Sequence, residues 1–229
     1  MLLVTGASDN HYLTLINMIR SFIHYNETNH LIIYNLGLSD DKWFNIQKIF
    51  NHPSLSFKVF DYSKCPEWFN IHIESGQYAW KPTILYHIFL EYPDEKIVWM
   101  DAGNLIHNHL KELEDFLDKY EVYSGTSDGN IEKWTFPSTI KYMKCTWIDR
   151  ENRNAACIGF NCKTDKVKDF IKEFYDYAQI KECIAPDGSS RENHRQDQAI
   201  FSILFYKYCF DSNHWKHHLG YSIHNDIDH

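Results

Sequence analysis

The sequence predicts an α/β protein with an open, mainly parallel sheet flanked by helices on both faces. Three short apolar segments alternate with helix-periodic stretches in the first 60 residues. A further apolar segment, residues 97–100, has no polar residue to mark a solvent face, as is typical of a central strand. Because parallel strands need long crossover connections, the helices between these segments favour a parallel order.

Residues 2–60 form the first predicted β-α-β-α-β unit. Its strands are residues 2–5, 31–36 and 55–60. Apolar side chains at helical spacing predict a helix after the first strand, namely Tyr12, Leu15, Ile16, Ile19, Phe22 and Ile23. Ser39 is typical of the N-cap of a second helix, and Pro53 ends that helix before the third strand.

The rest of the chain continues the alternation of strands and helices. A helix is predicted over residues 76–92, where Pro82 is tolerated in the first turn. The other predicted helices are residues 110–120, 165–179 and 198–208, and the other strands are residues 97–100, 122–125 and 155–162. Irregular structure is predicted for residues 130–148, 185–194 and 214–229. No repeat or linker divides the chain, so we expect one domain over residues 1–229.

Composition argues against several classes of protein. The formal net charge of −8 disfavours a binder of nucleic acid, because such proteins concentrate Lys and Arg. No apolar run approaches the ~18 residues of a membrane-spanning helix. The chain begins without the basic region of a secretory signal, so we expect a cytoplasmic protein. Six scattered cysteines without a Cys-x-x-Cys pair predict reduced thiols rather than a zinc knuckle or a disulfide framework.

The turn after the first strand is a candidate ligand-binding segment, because ligands of open α/β sheets bind beyond the carboxyl ends of strands. Thr5, Gly6 and Ala7 are small residues that let a ligand approach the backbone, and Tyr12 can stack on a base. An ordinary strand-to-helix turn is the alternative interpretation. The run Thr-Gly-Ala-Ser also opens the nicotinamide-dependent short-chain dehydrogenases, whose later glycines are missing here. That second alternative depends on the Tyr-x-x-x-Lys spacing of Tyr177 and Lys181.

The end of the buried strand at residues 97–100 is a second candidate. It delivers Asp101, followed by the small residues Ala102 and Gly103. A carboxylate in this position can coordinate a hard divalent cation, and small neighbours let a diphosphate approach. The alternative is that Asp101 caps the next turn.

Six short motifs follow one another along nearly the entire chain. They are Thr5 with Tyr12 and Arg20-Ser21-Phe22, Tyr78-Ala79-Trp80-Lys81, Asp101-Ala102-Gly103, Asn154-Ala155-Ala156 with Gly159, Asp197-Gln198, and His217-His218-Leu219-Gly220. In this order they resemble the GT-A-fold glycosyltransferases, and most closely the retaining family-eight group that includes glycogenin and bacterial lipo-oligosaccharide galactosyltransferases. The resemblance implies a Rossmann-like nucleotide-binding half, residues 1–105, and a half that binds sugar and acceptor, residues 106–229.

The resemblance also implies an activity. The expected enzyme transfers a hexose from a nucleotide sugar, with UDP as the expected nucleotide, to a protein, glycan or lipid-linked acceptor with retention. The implied catalytic residues are Asp197, Gln198 and Lys81, with Lys81 facing the charge that develops on the departing diphosphate. The implied donor-binding residues are Thr5, Gly6, Ala7, Tyr12, Lys81, Asp101, Ala102, Gly103 and Asn154. Asp101 and His217 match the family's metal ligands and would hold Mn²⁺ or Mg²⁺.

Two positions depart from the family pattern. Gly103 stands where the Asp-x-Asp metal motif has its second Asp, and Tyr221-Ser222 replaces a usual Lys-Pro. His217, His224 and Asp226 are candidates for the missing ligand. The missing second Asp supports an alternative function, a catalytically degenerate relative that binds a sugar nucleotide or a partner without transfer. Trp134, in the irregular segment, is a candidate platform for an acceptor.

Overall fold

The computed structural model describes residues 1–25, 28–210 and 219–228. The strands are β1 (Leu2–Ser8), β2 (His30–Gly37), β3 (Leu55–Val59), β4 (Lys96–Met100), β5 (Leu105–Ile106), β6 (Val122–Asn130), β7 (Glu151–Asn161) and β8 (Tyr221–Ser222). The α-helices are α1 (Tyr12–Tyr25), α2 (Asp40–Ile49), α3 (Trp80–Glu91), α4 (Lys111–Tyr120), α5 (Ile131–Trp134), α6 (Pro137–Tyr142), α7 (Asp165–Ala178), α8 (Lys181–Ile184) and α9 (Gln196–Lys207). None of these helices has the length and apolar character needed to cross a membrane.

Six strands form one sheet in the order β3-β2-β1-β4-β7-β6. The four strands from β1 to β4 run parallel, while β7 pairs antiparallel with both β4 and β6. This arrangement confirms the predicted α/β fold with a mainly parallel open sheet. Because β1 and β4 lie side by side, the turn after β1 and the residues after β4 reach the same edge of the sheet.

The apolar run of β4 divides between two cores, as the two-residue period of a strand requires. Ile97 and Trp99 belong to one buried cluster, with side chains of α3, α7 and α9. Val98 and Met100 belong to the other, with side chains of α1, α2 and α4. The absence of polar residues in this segment therefore reflects burial on both faces.

The helix predicted over residues 76–92 begins later, at Trp80. Five consecutive residues, Glu74–Tyr78, have positive φ angles between 47° and 58°. A Cβ at Gly76 would lie 2.2 Å from the Phe69 backbone oxygen, so this left-handed turn depends on glycine. Pro82 lies in the first turn of α3, as predicted, where helical backbone N–H groups have no intrahelical partner.

The segment predicted to be irregular, residues 130–148, contains the short helices α5 and α6. Asn130 caps α5 by accepting a hydrogen bond from the Lys133 N–H, and Pro137 begins α6. Helices of one turn carry no apolar periodicity, which is why the sequence pattern misses them. The strand predicted at residues 155–162 extends further towards the N-terminus, to Glu151 in β7.

The C-terminal segment, residues 219–228, lies along the edge of the sheet where β1 and β4 end. Its strand β8 pairs antiparallel with β5, just after β4. The Asp228 carboxylate accepts hydrogen bonds from the backbone N–H groups of Leu13 and Thr14, both at 2.9 Å. It thereby caps the N-terminus of α1, where a negative charge is favourable. These contacts bring a segment predicted to be irregular against the candidate site.

Candidate active site

A cavity of about 660 Å³ opens at the carboxyl ends of β1 and β4 and extends towards β6. The sequence-predicted site residues that line it are Gly6, Ala7, Lys81, Asp101, Ala102, Gly103, Asn154, Asp197 and Gln198. They come from five separate stretches of chain: the ends of the parallel strands β1 and β4, the start of the antiparallel β7, and the first turns of α3 and α9. This is the position at which open α/β sheets bind ligands.

Lys81 links two carboxylates beneath the cavity. Its ammonium nitrogen lies 3.1 Å from Asp101 Oδ1 and 3.0 Å from Asp197 Oδ2, and it donates to the Ala155 carbonyl at 3.0 Å. The Lys81 side chain is only 3% exposed. Burial alone would lower the pKa of Lys81, but the two carboxylates outweigh burial and raise it above its ordinary value. Lys81 is therefore charged, and its ammonium nitrogen has three oxygens within 3.1 Å.

Asp101 lies at the tip of β4, with 40% of its side chain exposed to the cavity. The Trp99 indole N–H donates to Oδ1, the same oxygen that faces Lys81. The Asp101 backbone N–H donates to Ala156 on β7 at 2.8 Å, which fixes the start of the turn. Both side-chain contacts involve Oδ1, so Oδ2 is the oxygen available to a ligand.

Asp197, in the first turn of α9, has a buried carboxylate with 6% of its side chain exposed. Burial raises the pKa of Asp197, and the Lys81 ammonium opposes that rise. Beside it, Gln198 accepts a hydrogen bond from the Ala155 N–H and donates to the Ser127 hydroxyl on β6. Asn154 uses its side-chain oxygen to accept from the Ala156 N–H, so its NH₂ group is the end left for a ligand.

A carboxylate from the C-terminal segment occupies the space beside Gly103. A Cβ at Gly103 would lie 2.6 Å from Asp226 Oδ1 and 2.9 Å from Oδ2, so any larger residue would displace Asp226. The Asn225 N–H donates to the Gly103 carbonyl at 2.8 Å, which holds the segment there. His11 Nε2 lies 3.6 Å from Asp226 Oδ1 on the other side. Gly103 itself has no acidic side chain, but the Asp226 carboxylate lies where a side chain at position 103 would be.

Other predicted residues lie apart from the cavity. Thr5 is completely buried within β1, and it does not line the cavity. Tyr12 is also outside the lining, and its hydroxyl accepts from the Asn45 side chain at 2.6 Å. Lys181 pairs with Asp187 on the surface, so the dehydrogenase alternative gains no support from the site.

The expected metal ligand His217 lies outside the described residues. Within the described part of the chain, no group of three or more His, Cys, Asp or Glu side chains is arranged to hold a metal ion. Asp101 and Asp226 nevertheless both line the cavity, and the space beside Gly103 is filled by a carboxylate. Mg²⁺ is often bound by one or two carboxylates together with substrate phosphates. Asp101 and Asp226 are therefore the two described carboxylates that a cation in this part of the cavity would meet.

Two arginines in the cavity wall are not among the predicted site residues. The Arg195 guanidinium lies 4.2 Å from the centre of the Trp134 ring, and the Arg191 guanidinium lies 5.6 Å from the Tyr78 ring. Lys133 also lies over Trp134, at 4.8 Å. Trp134, predicted as an acceptor platform, therefore supports cationic side chains. Arg195 stands two residues before the Asp197-Gln198 motif, which is a signal that could have selected it, whereas Arg191 lies in a polar loop without a motif.

Comparison with known proteins gives one partial family match and several structural matches. Residues 1–86 match the family described as "Protein of unknown function (DUF1647)". No curated protein sequence matches the chain. The solved structure of the WbbM bifunctional glycosyltransferase has 18% sequence identity and a TM-score of 0.59, over 91% of this chain and 38% of WbbM. This chain thus spans well under half the length of WbbM.

Two further structures are similar over most of both chains. Galactosyltransferase LgtC in complex with donor and acceptor sugar analogs has 19% identity and a TM-score of 0.56, over 90% of this chain and 70% of LgtC. Mouse xyloside xylosyltransferase 1 has 9% identity and a TM-score of 0.53, over 90% and 81%. At such low identities the likeness establishes the architecture, and the chain has the GT-A glycosyltransferase fold.

Proposed function

We propose that this protein is a glycosyltransferase that takes a hexose from a UDP-sugar and transfers it with retention to an acceptor hydroxyl. The observation that carries the proposal is the Asp101–Lys81–Asp197 network at the base of a cavity at the carboxyl edge of a GT-A fold. Two carboxylates held rigidly by one buried ammonium form a preorganised polar surface, which transition-state stabilisation requires.

In this proposal the donor lies across the ends of β1 and β4. The small residues Gly6 and Ala7 admit the nucleotide to the backbone, while Asn154 and Gln198 bind sugar hydroxyls on the β7 side. Asp197, next to the reacting carbon, stabilises positive charge on the sugar ring. Lys81 acts through its charge and through the two carboxylates beside it, because its buried ammonium already faces three protein oxygens.

The proposed reaction replaces one bond to the anomeric carbon. The bond to the diphosphate oxygen breaks, and a bond to the acceptor oxygen forms on the same face of the sugar. The acceptor proton passes to the departing phosphate oxygen.

Asp101 and Asp226 would hold Mg²⁺ or Mn²⁺ with the diphosphate. Such a cation, when bound, neutralises negative charge on the leaving group.

Donor binding without transfer is the second candidate function. Its support in the sequence is Gly103, which removes an acidic side chain from the metal motif. Asp226 beside Gly103 offers a carboxylate in place of the missing one, so we favour the active enzyme.

Thermal unfolding with UDP-sugars, with and without Mg²⁺ or Mn²⁺, tests donor and cation binding, because a ligand of the native state raises Tm. We expect one donor to raise Tm, and the cation to enlarge the increase. Asp226→Asn should remove the cation-dependent part, while Asp94→Asn, at an exposed Asp outside the cavity, should retain it.

Release of free sugar from the bound donor tests turnover. Asp101→Asn should slow that release by about a hundredfold or more. A donor that raises Tm without any turnover would support the second candidate, and the absence of any donor effect would contradict both.

A further inference from the structure

The wall of the cavity on the β6 side carries two positive charges without counterions. Arg191 and Arg195 precede α9 and both line the cavity. Within residues 1–25, 28–210 and 219–228, neither guanidinium forms an ion pair or a hydrogen bond. Two neighbouring guanidinium groups that line a cavity offer planar, permanently charged donors suited to an anionic ligand.

Each of the two arginines lies over an aromatic ring, Arg195 over Trp134 and Arg191 over Tyr78. The Arg195 backbone N–H donates to the Trp134 carbonyl at 3.0 Å, and the Trp134 indole N–H donates to the Asp128 carbonyl at 2.6 Å. Tyr78, beneath Arg191, belongs to the left-handed turn that Gly76 permits. Burial lowers the pKa of Arg195, and the nearby charge of Arg191 lowers it further. An anion bound between them would relieve this repulsion.

The position of Arg195 separates it from the proposed diphosphate site. Asp101 ends β4, whereas Trp134, the support of Arg195, follows β6, two strands further along the sheet. Between them lie Asn154 and Gln198, the proposed sugar-binding residues on β7 and α9. In a nucleotide sugar the sugar is the terminal group, so the space beyond it belongs to the acceptor.

We propose that Arg191 and Arg195 bind an oxyanion on the acceptor, so that the preferred acceptor is a sugar carrying a phosphate or a carboxylate. The inference rests on the proposed glycosyltransferase function. A guanidinium offers paired N–H donors that match the oxygens of either group. The acceptor anion would dock on the β6 side and leave a hydroxyl of the same sugar directed towards the donor.

Ligand-observed NMR titration of the full chain tests the proposal with glucose 6-phosphate, glucuronate and glucose. The titrations are made with and without UDP and Mg²⁺. We expect at least one charged sugar to bind about tenfold or more tightly than glucose. The double variant Arg191→Gln, Arg195→Gln should remove that preference. Arg150→Gln should retain it, because Arg150 is an exposed arginine over Tyr206, outside the cavity.

The comparison of glucose 6-phosphate with glucuronate identifies the anion. Any one of three results would overturn the proposal. The first is equal affinity for glucose and both charged sugars, the second is no binding by any of the three sugars, and the third is an unchanged preference in the double variant. Loss of UDP binding in the double variant would instead assign the arginines to the donor. That result would reject the acceptor site and leave the proposed function standing. A charged-sugar preference without any UDP-sugar binding would reject the proposed function alone.

Discussion

Replacing Lys81 by Met removes the ammonium that joins Asp101 to Asp197 and preserves much of the length of the side chain. Asp197 would then be a buried carboxylate without its cation, since only 6% of its side chain is exposed. Breaking a buried ion pair from one side costs about 3–5 kcal/mol of stability. Asp101 adds little to this figure, because 40% of its side chain is exposed and water can solvate it.

The assay is urea unfolding at neutral pH, followed by tryptophan fluorescence. Lys81→Met should lower the free energy of unfolding by about 3–5 kcal/mol. Lys81→Met combined with Asp197→Asn should recover at least half of the loss, because no unpaired charge remains buried. A double-mutant cycle gives the coupling between the two side chains. Additive losses in the double variant, or a loss below about 1 kcal/mol in Lys81→Met, would refute the assigned role of the ammonium.

Two further predictions concern stability away from the catalytic groups. Burial lowers the pKa of His194 from 6.5 to about 4, with opposing hydrogen bonds to backbone carbonyls, so the unfolded chain binds the proton more strongly. Stability should therefore fall as pH decreases from 6.5 towards 4, by about 2 kcal/mol at pH 5, and His194→Gln should lack this component in urea titrations at pH 5 and 7.5. Gly76→Ala should lower the free energy of unfolding by about 2 kcal/mol or more, because Gly76 has a φ of 58° and no space for a Cβ. Gly125→Ala is the matched control, with its nearest neighbour at 4.0 Å, and a similar loss in both variants would contradict this explanation.

The sequence predicts the sheet well because a buried strand must consist of apolar residues, and that pattern is visible in the sequence. A strand such as β4, covered on both faces, must be apolar throughout, and its neighbours in the α/β alternation follow from chain connectivity. The left-handed turn before α3 leaves no comparable trace. Gly76 is the one residue in the turn whose type favours a positive φ, and the other four residues of Glu74–Tyr78 are not glycine. Their conformation depends on tertiary contacts that no local pattern encodes.

The candidate site is predictable where it lies at strand ends and unpredictable where it depends on distant contacts. Gly6 and Asp101 line one cavity because the parallel strands β1 and β4 end at the same edge of the sheet, and Asn154 joins them near the start of the antiparallel strand β7. Thr5 precedes the end of β1 and is buried instead. The placement of Asp226 beside Gly103 follows from the pairing of β8 with β5, which joins segments more than 100 residues apart.

The pairing of β8 with β5 affects the order in which the parts of the cavity form during folding. All six strands of the main sheet lie within residues 2–161, so the scaffold can form before the C-terminal segment has been synthesised. Contacts of long sequence separation carry a large loop-closure entropy and tend to form late in folding. The acidic edge of the cavity, with Asp226 beside Gly103, would thus be completed in the last stage of folding. A nascent or truncated chain without residues 219–228 would lack this carboxylate, so the proposed cation binding would depend on that segment.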